Sequence, residues 1–108
     1  MDDNNRLELK VSDQSQLLSL HRTLSLVPAA RVERVPGVPA AGELGTVDFL
    51  VAVGGSGALI AVVKMLPDFL QARRSDLSVE IVKKGQTVRV TATNIDDIMP
   101  VLTAMIDE

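Results

Sequence analysis

Residues 49–63 read FLVAVGGSGALIAVV, fifteen residues without a charge, broken by Gly54, Gly55, Ser56 and Gly57. A surface helix shows one apolar stripe and one polar face, and this stretch shows almost no polar face. Whatever its secondary structure, it must be covered on nearly all sides by the rest of a small fold, by another chain or by lipid.

Four readings of this stretch can be weighed. A phosphate loop would need Lys-Ser/Thr directly after the last glycine, where Ala58-Leu59 stands, and a dinucleotide fingerprint would need glycine at Ile60. A membrane span would need about 20 apolar residues, more than the stretch supplies. A strand over 47–53 turning at the glycines into a helix from Ala58 is permitted by Val, Phe and Leu. The preferred reading is one continuous or slightly broken helix from Thr46 or Val47 to Arg73 or Arg74, with a kink or break near Leu66 because Pro67 lies inside it. On such a helix Gly54, Gly57, Ala58 and Ala61 fall at i, i+3, i+4 and i+7 and form a stripe of small residues, of the kind that lets two backbones approach closely. The stripe faces either the protein's own sheet or another protein chain.

Outward from this stretch the patterns are clearer. Leu7, Leu9 and Val11 alternate with Glu8, Lys10 and Ser12, the period of a half-buried strand. Ser12 or Asp13 caps a helix carrying Leu17, Leu20, Leu24 and Val27, which Pro28 ends. Residues 31–35 predict a short second strand, and the prolines and glycines of 36–42 forbid regular structure. Leu77, Val79 and Ile81, then Val88, Val90 and Ala92, alternate around Lys83-Lys84-Gly85-Gln86. A two-residue turn at Lys84-Gly85 puts every apolar pair on one face and Glu80 opposite Arg89 on the other. Lys84 is a poor residue for positive φ, so a bulged turn is the alternative. Ile98, Val101, Leu102 and Met105 give a last amphipathic helix. Its cap is placed at Asp96 or Asp97 rather than Asn94, because Pro100 is tolerated only in a first turn.

The order is therefore β-α-β-α-β-β-α: an α+β two-layer sandwich with a four-stranded sheet and helices on one face. A flexible start over 1–6 and a single domain over 7–108 are expected.

Composition excludes several function classes. The chain has 108 residues, 46% hydrophobic and 2% aromatic, with no Trp, Tyr or Cys and a net charge of −3. Mean hydropathy is +0.24 and the pI about 5.1. One core of Leu, Val, Ile, Met and Ala is implied. Stacking platforms and basic runs for nucleic acid are lacking, as are thiols for disulfides, zinc or catalysis. The polar, acidic N-terminus is no signal peptide, so a cytoplasmic protein is expected.

No catalytic set, metal site or cofactor site is expected. His21 sits among Leu17, Leu20 and Leu24, as a boundary residue would. Asp96-Asp97, Glu43 and Asp48 read as helix-end charges, Ser56 lacks the G-x-S-x-G spacing, and Arg73-Arg74 and Lys83-Lys84 read as solvated pairs.

The proline-rich turn from Pro36, the segment Gly42-Glu43-Leu44-Gly45-Thr46-Val47-Asp48, the glycine-broken apolar run and the ending Phe69-Leu70-Gln71-Ala72-Arg73-Arg74 resemble the effector-associated constant component family of actinobacterial proteins. The strand Arg31-Val32-Glu33-Arg34-Val35-Pro36 fits too, so the likeness covers most of the chain from Leu7. Phe49 and the β-branched run depart from it where Ala and Leu are more typical, as does Phe69 where Trp is common. The resemblance implies a non-catalytic adaptor or assembly component in prokaryotic conflict systems. Such a component accompanies variable effectors, often caspase-like or trypsin-like proteases, and signalling NTPases. Gly54, Gly57, Ala58, Ala61, Glu43 and Leu44 are the expected contact residues, with an effector or a second copy as partner and no nucleic acid or membrane span. The alternative is a small-ligand-sensing regulatory domain with a pocket at the glycine break.

Overall fold

The structure, a computed structural model, describes residues 5–37, 48–73 and 77–107. The first strand, β1 (Arg6–Val11), forms where the alternation requires it, with Leu7, Leu9 and Val11 buried. Asp13 then accepts a hydrogen bond from the Ser15 N–H at 3.0 Å and starts a 3-10 turn, Gln14–Gln16, that leads into α1 (Leu17–Leu24). β2 (Arg31–Val35) follows as expected.

The stretch 49–63 is where expectation and structure part. It is not one helix. Phe49–Val53 is a strand, β3, and the chain turns at Gly54-Gly55 into α2 (Ser56–Lys64). The sheet therefore has five antiparallel strands rather than four, in the order β2-β3-β1-β4-β5. The element order becomes β-α-β-β-α-α-β-β-α. The reason is pairing on both sides: β3 lies between β1 and β2, with Val51 opposite Glu8 on one and Glu33 on the other. A helix there would leave β2 without a ladder partner and β1 unpaired on one side, and buried backbone groups must be satisfied.

The break near Leu66 does occur. α2 ends at Lys64, and α3 (Leu66–Gln71) begins with Pro67 in its first turn, where a missing N–H costs little. β4 (Ser78–Lys83) and β5 (Gln86–Thr91) form the hairpin in the expected register, with Ile81 opposite Val88 and Val79 opposite Val90. No bulge forms: Lys84 (φ 54°) and Gly85 (φ 81°) both take the left-handed conformation of a two-residue turn. Arg89 donates to Glu80 across the strands at 3.1 Å.

The last helix, α4 (Ile95–Asp107), starts earlier than expected. Asn94, not Asp96 or Asp97, precedes it, and its carbonyl accepts the first helical bond from the Ile98 N–H at 2.9 Å. Pro100 lies in the helix interior, not in the first turn. It is exposed, so the Asp96 carbonyl that it leaves without a helical partner faces the solvent side. The buried face of α4 is Ile95, Leu102, Met105 and Ile106, with Ile98 half-buried; Val101 is 49% exposed rather than in the core stripe.

All four helices contribute buried side chains to one core with Leu7, Leu9, Val11, Leu50, Ala52, Val79, Ile81 and Val90, the alternate residues of one sheet face. The other face carries Arg6, Glu8, Lys10, Glu80 and Arg89. The two-layer α+β class thus holds.

Candidate functional site

The glycine turn joins the interior strand β3 to α2. The Gly54 N–H donates to the Asn5 carbonyl at 3.0 Å, which ties the turn to the start of β1. Gly55 stands at the helix N-cap position, with extended backbone and no side chain to cap with. Gly54 is half-buried, and a Cβ there would stand 3.0 Å from the Ala58 methyl and 3.1 Å from the Ala29 carbonyl oxygen. Gly57 is exposed, and a Cβ there would meet nothing within 4 Å.

The expected stripe is therefore divided. Gly54 lies before the helix and touches Ala58 through the close approach of the turn. Ala58 and Ala61 are half-buried on α2, and Ala61 packs against the core. Gly57 opens outward. Glu43 and Leu44 lie outside the described residues.

Several of the polar residues are held by neighbours, although Asp48 Oδ1 is buried without a hydrogen-bond partner. His21 Nε2 lies 3.0 Å from the Val32 carbonyl oxygen and carries the proton in that contact, since a carbonyl only accepts. It thereby occupies an acceptor on the edge strand β2. At the other edge the Thr91 N–H donates to Asn94 Oδ1 at 2.8 Å, and Asn94 Nδ2 donates to the Arg89 carbonyl at 3.1 Å. Side chains thus engage both open edges of the sheet, a device that discourages strand addition. Asp48 pairs with Arg34 at 3.6 Å, and Arg73 stacks on Phe69 at 3.9 Å while donating to Gln16 at 3.1 Å. Asp96 and Asp97 occupy the first turn of α4, where acidic charge suits the helix dipole. Among the described residues no three His, Asp or Glu side chains are grouped to hold a metal ion. No described helix is long and apolar enough to cross a membrane.

Sequence reading missed one residue. Lys83, expected in solvent with Lys84, is 1% exposed, and its Nζ has no hydrogen-bond partner. The signal was present: Lys83 continues the row of Val79 and Ile81, so the alternation that buries them buries it as well. Large apolar side chains at the surface are Leu18, Leu26, Val53 and Val101, of which Leu26 is the most exposed at 72%.

A family model described as Effector Associated Constant Component 1 matches residues 10–106. No curated protein and no solved structure matches the chain.

Proposed function

The chain belongs to the Effector Associated Constant Component 1 family, and from that premise we propose that it is a non-catalytic adaptor of a multi-gene bacterial conflict system. In this reading it works in the cytoplasm and joins a variable effector, such as a caspase-like or trypsin-like protease, to the signalling NTPases of the same system. The observation that carries the reading is the extent of the match: it runs from Lys10 in β1 to Ile106 in α4 and so takes in nearly all of the domain described above.

The contact surface proposed is the outward side of the glycine turn and α2, with Gly57 at its centre and Gly54, Ala58 and Ala61 around it. Glu43 and Leu44 of the preceding loop belong to the same proposal. Gly57 supports it because it is exposed and has room around it, so a partner can approach the α2 backbone closely there.

The test is co-expression with the protein of the adjacent effector gene and mass determination by light scattering. Wild-type protein should elute as a complex, with the effector or as a dimer. Gly57→Leu, whose Cβ would meet nothing within 4 Å, should unfold at the same or a higher temperature and elute as a monomer. A complex that survives Gly57→Leu unchanged would remove this surface. A wild-type protein that stays monomeric with every neighbouring gene product would remove the adaptor reading.

A further inference from the structure

The helices α1 to α4 pack on one face of the sheet, and among the described residues the opposite face is formed by the strands. An antiparallel sheet with one face toward water ordinarily carries polar residues along it. The interior strand β3 does not. Leu50 and Ala52 lie in the core, so Phe49, Val51 and Val53 turn to the open face, where Val53 is 41% exposed. Charges flank this strip in two opposed rows. The register sets Arg31, Val53 and Arg6 side by side across β2, β3 and β1. Two residues along, it sets Glu33, Val51 and Glu8 side by side. One row is a valine between two arginines, and the next is a valine between two glutamates. Each arginine pairs with the glutamate of its own strand, Arg6 with Glu8 at 3.3 Å and Arg31 with Glu33 at 3.6 Å. All four side chains keep access to solvent and so have room for a second partner.

We propose that this face binds a second copy of the chain about a two-fold axis that crosses β2, β3 and β1 midway between the two rows. Rotation about that axis exchanges the rows. Arg6 then meets Glu8 of the second copy, Arg31 meets its Glu33, and Val53 lies over its Val51. The face is thus complementary to itself, as a two-fold contact requires. A partner of one charge would suit one row and be repelled by the other. Two sheets can stack face to face with their strands within about 30° of each other, which keeps the match at the centre of the contact. The face is also the open route to association, because side chains engage both edge strands. Exposed ion pairs contribute little and the apolar strip is narrow, so the contact is weak, with a dissociation constant on the order of 100 μM. At low micromolar concentration the chain alone is then a monomer, and the α2 surface is read separately. The proposal does not rest on the adaptor reading.

The test is sedimentation equilibrium of the full chain at low salt, from about 10 μM to about 1 mM, a range that brackets the expected constant. Wild-type protein should pass from monomer to dimer. Arg6→Glu with Arg31→Glu leaves glutamate in both rows, and Glu8→Arg with Glu33→Arg leaves arginine in both. Each double variant alone should associate about tenfold or more weakly than wild type, by like-charge repulsion. Mixed in equal amounts, the two should form a heterodimer at least as tight as the wild-type dimer, and high salt should weaken it. Val53→Glu keeps the result decisive should a double variant fail to fold. In its own copy the new carboxylate stands between Arg6 and Arg31, which favours folding, whereas across the contact it faces Glu8 and Glu33. It should melt like wild type and remain a monomer throughout. A wild-type chain that is monomeric at every concentration overturns the proposal. So does a mixture of folded double variants that does not associate, or a dimer that Val53→Glu leaves intact.

Discussion

Gly54 and Ala58 meet where β3 turns into α2: a Cβ on Gly54 would stand 3.0 Å from the Ala58 methyl, with the Ala29 carbonyl oxygen 3.1 Å away on another side. Gly57, three residues later, has open space. The two glycines therefore differ in what they do for the fold. Gly54→Ala should destabilise by about 1–2 kcal/mol, because backbone has to shift to admit the methyl. Gly57→Ala should stabilise by up to about 1 kcal/mol, since Ala is the better helix former. Urea unfolding midpoints of the two variants should move in opposite directions; movement in the same direction would contradict the geometry.

Lys84 holds φ at 54°, a conformation that costs most L-residues about 1 kcal/mol or more. Asn tolerates it and precedes glycine in the favoured two-residue turn. We expect Lys84→Asn to stabilise by about 0.5–1 kcal/mol and Lys84→Val to destabilise, as read from thermal melts. Equal melting of the two variants would mean that the turn is not two residues long.

Asn94 closes the free edge of β5 through its side chain. Asn94→Ala removes the bonds to the Thr91 N–H and the Arg89 carbonyl and should cost about 1–2 kcal/mol. The Thr91 amide should then exchange with solvent faster than the amides on the β4 side of the hairpin. Unchanged exchange at Thr91 would show that the ladder, not Asn94, holds it.

Pro100 interrupts α4 from an exposed position. Pro100→Ala restores the bond to the Asp96 carbonyl and should stabilise by about 1–3 kcal/mol. Circular dichroism should also show slightly more helix. A destabilised variant would mean that packing of the ring on its neighbours outweighs the missing hydrogen bond.

The cross-strand pair Glu80–Arg89 is short at 3.1 Å, but both side chains are partly open to solvent. A double-mutant cycle should return a coupling of about 0.2–1 kcal/mol that falls toward zero in 1 M salt. A larger, salt-insensitive value would require the pair to be covered.

The hairpin, β1, the capped entry to α1 and the break at Pro67 were legible because each depends on neighbours in sequence: alternation, a capping carboxylate, a missing N–H. The Lys84-Gly85 register satisfied both faces of the hairpin at once, and the same alternation already implied that Lys83 faces the core. The start of α4 was misread for a related reason. Asn94 precedes it with its side chain turned back to Thr91 and Arg89 of β5 rather than onto the helix, and the tolerance of Pro100 depends on its exposure in the finished helix.

By itself, then, the sequence determined an α+β chain with one aliphatic core, its terminal hairpin and the family to which it belongs. Tertiary structure alone decided what residues 49–63 became. Val51 points to the sheet face opposite the helices yet is buried, with Glu8 and Glu33 opposite it on the neighbouring strands. A central strand covered in this way keeps no polar alternation, and its apolar run cannot be told from a buried helix by period. Pairing with β1 and β2 settled it, because only a strand could supply the hydrogen bonds that β2 and the open side of β1 require.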